Sequence, residues 1–477
     1  MAVEVPAVSQ GALPSLAATL ANLSIDSAGA AVATAARQRL FDTLGAACVG
    51  LATSEGRQAR SIDEQLQPLG GARHALDRCR WLASAVRSTE IDDIDIVGCT
   101  TVGAVVVPAA VAFAAAAPPA DGRLLLASVA AGYEAMIRLG RAIGGATLLY
   151  RGVWPTYVTA AFGAAAAAAR WLGLDAEQTA RALALALART DVPPPKALAQ
   201  PGFRCFALGG AAVEGCIAAL AARAGVAADT IDLAAFGQRI GAQVDEAELT
   251  AGLGAEWRIG AVDTKMFPSS RQALASVEAF LALAPLPHPI ADLERVVVAV
   301  PSAYRDMIDR ARPPANRIES LLGVQYQVAL AALEPAALYD ALRPTLRHDE
   351  RTAGFMARVE VRADAELSRQ FPHTWGSAVT LHWRSGGETR AEVREPSGSG
   401  RSTVSWTALR GKLERILAAS GLERHGFAAQ LQTRCESIGV TAGARANDAA
   451  ALLETLEALA ARAEPAHKTP TRRSERS

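Results

Sequence analysis

The stretch YVTAAFGAAAAAARWL (157–172) decides the fold. Alanine, the strongest helix former, dominates it, and small side chains occupy nearly every face of the helix it predicts. A surface helix carries one apolar stripe; a helix that is small all round fits inside a bundle, where neighbouring backbones approach closely. Outward from it the same texture predicts helices over 108–117, 124–143, 175–188 and 206–224. Apolar residues at three- and four-residue spacing predict amphipathic helices over 29–51 and 77–89. Nothing in the first 260 residues reads as a strand. Near Pro285 the pattern changes: ERVVVAVP (294–301), ARVEVR (357–362), AVTLHWR (378–384) and ETRAEVR (388–394) are enriched in β-branched residues and partly alternate. Ser385-Gly386-Gly387 reads as the turn of a hairpin between the last two. Helical patterns lie between the first two strands (320–333 and 334–342) and return at 407–419 and 448–463.

The expected fold class is therefore mainly α with a smaller α+β domain. A large helical domain spans 1–267, the α+β domain 268–400, and the chain returns to the helices over 401–465. Residues 466–477 form a polar, basic tail expected to be disordered.

Composition narrows the function. The 477 residues carry 48 Lys+Arg against 48 Asp+Glu, and 51% are hydrophobic. That is ample for a large core, and it lacks the basic excess with which nucleic-acid binders release counterions. The N-terminus has no signal-peptide pattern, and the longest apolar run (104–117) is shorter than the ~20 residues that span a bilayer. Six cysteines (48, 79, 99, 205, 216, 435) show no metal-ligand spacing and point to reduced thiols in a cytoplasmic protein. Only four of the 48 basic residues are lysines: Lys196, Lys265, Lys412 and Lys468. Lysine supplies a compact, titratable amine that arginine cannot, so each one inside a structured stretch is a candidate for chemistry.

Five constellations stand out. Glu90-Ile91-Asp92-Asp93-Ile94-Asp95 puts four carboxylates in six residues, which must be solvated, cation-paired or partly protonated. It is either an acidic helix end facing water or, with the small-residue loop holding Thr100 and Thr101, a ligand site. In Asp263-Thr264-Lys265-Met266-Phe267-Pro268-Ser269-Ser270-Arg271-Gln272, Ser269 and Gln272 predict a capping box and a helix starting at about Ser270. Its N-terminus, flanked by Lys265 and Arg271, favours a carboxylate or phosphate. Trp154 and Thr156 in one motif, Arg204 in another, and Tyr326 in a third each sit beside a helix expected to be buried. The seven histidines (74, 288, 348, 373, 382, 425, 467) fall outside all five. No zinc, P-loop, nucleophile-elbow or dinucleotide motif appears in its required context, and no metal is expected.

The ordered segments LFDTLGAACVGL (40–51), EIDDI (90–94), GAVVVPAAVAFA (103–114), PTYVTAAFGAAAAAARWLGLDAEQTARALALA (155–186), GGAAVEG (209–215), TKMFPS (264–269) and GVQYQVALA (323–331) resemble the MmgE/PrpD family. The likeness runs from about Leu20 to Leu417. The family includes 2-methylcitrate dehydratase, cis-aconitate decarboxylase and iminodisuccinate epimerase. The resemblance implies a helical domain with an α+β lid, a homodimer, and a cofactor-free site in the cleft that takes a carboxylate-bearing small molecule. It assigns the acidic motif to Glu90, Asp92 and Asp93, the catalytic lysine to Lys265 and the tyrosine to Tyr326. A family lysine falls on Arg204. Two family histidines fall on Thr100 or Thr101 and on Trp154, and a third falls near Arg87. With those histidines gone, the expected function is a lyase or isomerase moving a proton next to a carboxylate with altered acid–base groups. Lys265, Tyr326, Asp92, Asp93 and Glu90 are its catalytic candidates. Arg204, Thr100, Thr101, Trp154, Thr156, Ser269, Ser270 and Arg271 are its substrate-binding candidates. Loss of turnover in Lys265→Ala and Tyr326→Phe is the corresponding expectation. Two other readings remain: a catalytically silent member that binds a ligand or partner through the cleft, and a magnesium-dependent enzyme of terpene-synthase type built on Asp92-Asp93-x-Asp95.

Overall fold

In the computed structural model, Ala164 through Ala169 are each 0% exposed. They lie in the helix Pro155–Trp171, which packs against Gly122–Ala142 on one side and Pro201–Arg223 on the other. Alanines add little buried area each, so cohesion depends on close approach of the backbones. Gly215 shows how close: a Cβ there would lie 2.1 Å from the carbonyl oxygen of Ala161. The structure describes residues 11–66, 75–116, 122–190, 201–228, 231–344, 349–400 and 404–440. The helix expected over 448–463, Lys196, Lys468 and the basic tail lie outside them.

Around this centre stand Ala30–Leu51, Ala75–Ser88, Gly103–Ala116 and Ala176–Ala188, the last opened by an Asp175–Gln178 capping box. The helices Trp406–Ala419 and Phe427–Ser437 return to the same core through Leu409, Leu413, Ile416 and Leu431. Gly202–Arg223 is long and apolar enough to cross a membrane, and it serves here as a core helix, half of it buried. No other described helix meets that test.

A second core belongs to the α+β part. Strands β1 (Leu293–Val300), β2 (Val359–Ala363), β3 (Ser377–Trp383) and β4 (Glu388–Val393) form one sheet in the order β2-β1-β3-β4. β1 and β2 run parallel, Val298 opposite Val361; β3 is antiparallel to both β1 and β4. The helix Arg271–Leu281 packs on β3 and β4. The fold is thus mainly α with a smaller α+β part. One expected helix divides: the pattern over 320–333 forms Arg317–Leu322 and Val324–Leu333, because Gly323 is extended. The break frees the Leu321 carbonyl, which accepts instead from the Ser270 amide and from Gln327 Nε2.

Candidate functional site

Two backbone bridges assemble the site. Ile94 and Asp263 exchange amide–carbonyl hydrogen bonds of 3.0 and 2.9 Å, and Asp95 and Thr100 exchange another pair of 2.9 and 3.1 Å. The first bridge sets the acidic motif against the loop carrying Lys265, which is 175 residues beyond Glu90 in the chain. Glu90 itself adopts φ +55°, a left-handed conformation uncommon for a side chain of its size and found at sites where surrounding structure enforces it.

The acidic run does not face water: Glu90, Asp92, Asp93 and Asp95 are all buried. Their cations come both from the end of the preceding helix and from distant elements. Arg87 donates 2.8 Å to Glu90 and, through Nη1, 3.1 and 3.0 Å to the two oxygens of Asp92. Arg204 donates 2.7 Å to Glu90 Oε1. Lys265 Nζ lies 3.1 Å from Glu90 Oε2 and 3.2 Å from Asp92 Oδ1. Burial pushes the Glu90 carboxyl up, but the combined fields of Arg87, Lys265 and Arg204 outweigh it and hold the group well below the usual carboxylate range. Asp93 faces the other way. It accepts 2.5 Å from the Tyr133 hydroxyl and 2.8 Å from the Gly103 amide, and burial leaves its pKa raised despite Arg39 nearby. Asp95 pairs with Arg141. Asp92, Asp93 and Asp95 therefore diverge toward three sets of partners, which removes the geometric basis for a shared diphosphate–metal site. Among the described residues, no group of three His, Cys, Asp or Glu is placed to hold a metal ion.

Glu90, Arg87, Arg204 and Lys265 line a small cavity of about 40 Å³ together with Thr101, Trp154, Thr156, Ser270, Arg271 and Gln272. Its remaining walls include Ile94, Cys99, Leu149, Met307 and Leu322. Trp154 packs flat against Arg204, whose guanidinium carbon is 4.8 Å from the ring centre. Thr156 accepts 3.1 Å from the Thr101 amide, fixing the opposite edge. Arg271 is buried, not a surface cation: its Nε donates 2.7 Å to Asp263, while Nη1 has no hydrogen-bond partner among the described residues. The Ser270 hydroxyl is likewise buried and without a hydrogen-bond partner among the described residues. Burial pushes the Cys99 thiol up to about 12, so it is no thiolate nucleophile at neutral pH.

Several expectations need correction. The Ser269–Gln272 capping box does not form. Ser270 is the N-cap without a side-chain bond, Ser269 Oγ donates to the Ser270 carbonyl, and Gln272 Nε2 donates 2.9 Å to Tyr150. The Ser269 and Ser270 amides are also occupied, by the carbonyls of Glu90 and Leu321, so they are not free for a ligand. Tyr326 is not among the residues lining the Lys265 cavity: it packs in the second core, lines another cavity with Arg310, Pro313 and Gly323, and interacts electrostatically with Arg343. Asp92, Asp93, Thr100 and Ser269 are buried behind the cavity wall. Arg87 and the apolar lining were missed as site residues; the place where the resemblance puts a family histidine, near Arg87, was the one available signal.

Lys412 sits behind the acidic motif. It donates 2.6 Å to Asp42 and 3.0 Å to the carbonyl of Ile91, tying the returning helix to the segment that carries Glu90 and Asp92. Gly103 stands beside this support. A Cβ there would lie 2.5 Å from Thr43 Oγ1, 2.8 Å from Tyr133 Oη and 2.9 Å from Asp93 Oδ1. Gly103→Ala is expected to cost about 1–3 kcal/mol through overpacking, read as a lower urea midpoint; an unchanged midpoint would mean this wall yields easily.

Comparison with known families agrees with this layout. Residues 14–236 match the MmgE/PrpD N-terminal domain and residues 267–431 match the MmgE/PrpD C-terminal domain. No curated protein matches the chain.

Proposed function

The chain belongs to the MmgE/PrpD family, whose domains are those of dehydratase-like lyases, and on that premise we propose that it is a lyase or isomerase acting on a carboxylate-bearing small molecule. The reaction moves a proton at the carbon next to the substrate carboxylate. One observation carries this reading: a buried Lys265–Glu90 pair shares a cavity with two unpartnered donors, Arg271 Nη1 and Ser270 Oγ. Buried donors without partners are costly, and an entering carboxylate satisfies both. Glu90 is the proton acceptor because it lines the cavity, whereas Asp92 and Asp93 lie behind it. Substrate charge near Arg204 and Lys265 weakens their hold on Glu90 and raises its basicity. Lys265 and Arg204 stabilise the charge that develops as the proton leaves, and Lys265 is the group able to return one.

The test is deuterium uptake next to the carboxylate of bound acids in heavy water, measured by mass spectrometry. Uptake with the wild-type protein and its loss in Glu90→Gln is the expected result; uptake that persists in Glu90→Gln removes Glu90 as the acceptor. The second reading, a silent binder, draws support from the depressed Glu90 pKa, since a carboxylate held so firmly resists taking a proton. Such a protein binds acids and exchanges nothing.

Homodimerisation belongs to the same reading and is supported by an apolar stripe on Pro201–Arg223, the helix that also carries Arg204. Phe203, Phe206, Ile217 and Leu220 are exposed along it at helical spacing. Phe206→Asp is expected to halve the mass measured by light scattering; a wild type that is already monomeric ends this part of the proposal. The six cysteines, all free and buried, fit a reducing, cytoplasmic setting.

A further inference from the structure

We propose that the ligand of this cavity is a monocarboxylate with an apolar body, and not a di- or tricarboxylate. The inference rests on the carboxylate-binding reading above and specifies its substrate class.

The first argument is charge. Arg87, Arg204, Lys265 and Arg271 are the cations lining the cavity. Glu90 lines it with them, and Asp92 and Asp263 are in direct ion-pair contact with the same cations. Four cations against three carboxylates leave one formal positive charge in a buried site. A single entering carboxylate neutralises it. A second carboxylate enters without a counter-charge, and an unpaired charge in a desolvated site carries a heavy penalty.

The second argument is the remaining wall. Ile94, Cys99 and Leu149 belong to the second hydrophobic core, and Met307 packs against it. Leu322 completes this side of the cavity. None of these side chains can donate to a second carboxylate, but each gains by covering hydrocarbon. Of the positions where the family resemblance places histidines, Trp154 and Thr100 or Thr101 add no cation, and the third falls near Arg87, one of the four cations. Gln272, the amide beside Met307, already donates to the Tyr150 hydroxyl and the Met307 sulfur, so the lining combines one set of cations with apolar side chains, as amphipathic ligand pockets do.

The experiment is calorimetric titration of the full chain at pH 7 with acetate, butyrate, hexanoate, adipate and citrate. From acetate to hexanoate, affinity is expected to rise about fourfold per methylene, the equivalent of ~0.8 kcal/mol. Hexanoate is expected to bind at least tenfold tighter than adipate, which has the same six carbons and a second carboxylate. Met307→Lys, which puts a cation on the apolar wall, is expected to narrow or invert that ratio. Adipate or citrate binding as tightly as hexanoate overturns the inference while leaving proton transfer intact. A preference for hexanoate without deuterium uptake by any acid leaves the inference standing and removes the catalytic reading. A folded protein that binds none of the five overturns both.

Discussion

Lys265→Met is expected to lower deuterium exchange by ~10²–10⁴-fold, the range lost with a general acid or base, while the protein still unfolds cooperatively. Methionine keeps much of the length and apolar stem of lysine and deletes only the ammonium. The neighbouring carboxylates are not stranded: Glu90 retains Arg87 and Arg204, and Asp92 retains both bonds to Arg87. The effect therefore falls on the reaction more than on the fold. Lys265→Arg separates the two roles of the ammonium. Arginine keeps the positive charge but does not release a proton at accessible pH. Partial recovery in Lys265→Arg assigns the larger share to electrostatic stabilisation, and no recovery assigns it to proton return. Exchange at the wild-type rate in Lys265→Met would eliminate the proposed chemistry. Tyr326→Phe provides the contrast, because Tyr326 lines a different cavity. It is expected to leave exchange within a few-fold of wild type, contrary to what the sequence resemblance alone implies.

The helical frame was legible because its signal is local. Ala-rich runs that pack on every face announce a bundle within a dozen residues, and the observed helices Pro155–Trp171 and Ala176–Ala188 differ from the expected spans by two residues or fewer at each end. The four strands were equally local, each a β-branched run bounded by turn residues. What could not be read was which charges meet. Besides Arg87, three residues away, Glu90 takes its partners from Arg204 and Lys265, which are 114 and 175 residues away. A carboxylate run whose cations are that remote has the same sequence appearance as a solvated helix end. The capping box failed for a related reason: S-x-x-Q is a local pattern, and Gln272 was drawn off by Tyr150 from another element. Lysine scarcity was the non-local clue that survived. Of the four lysines, the two that lie among the described residues, Lys265 and Lys412, are both buried and both hold the acidic motif in place.

Arg87→Met is expected to produce the largest loss of stability, about 3–5 kcal/mol, the cost of removing one member of a buried ionic network. Among the described residues, the guanidinium is the only group that bonds both oxygens of Asp92 while also reaching Glu90. Without it, two buried carboxylates share Lys265 and Arg204. For a protein of ordinary stability, ~5–15 kcal/mol, that is a large fraction of the total. The dependence on pH identifies the cause. Glu90 is held below its ordinary pKa in the folded state, so its contribution is present above the unfolded value of about 4.3 and disappears as pH falls through the folded one. In Arg87→Met the folded pKa of Glu90 rises toward or beyond the unfolded value, and that contribution is already absent at pH 7. The gap between wild type and variant, measured by urea unfolding, should therefore be widest near neutrality and close as pH falls below about 4. Loss of packing around a shortened side chain would instead leave a gap that does not vary with pH. Adding Glu90→Gln to Arg87→Met should restore part of the stability, because one uncompensated charge is then gone. A double variant less stable than Arg87→Met alone would show that the network is held by the shape of its hydrogen bonds and not by its charge.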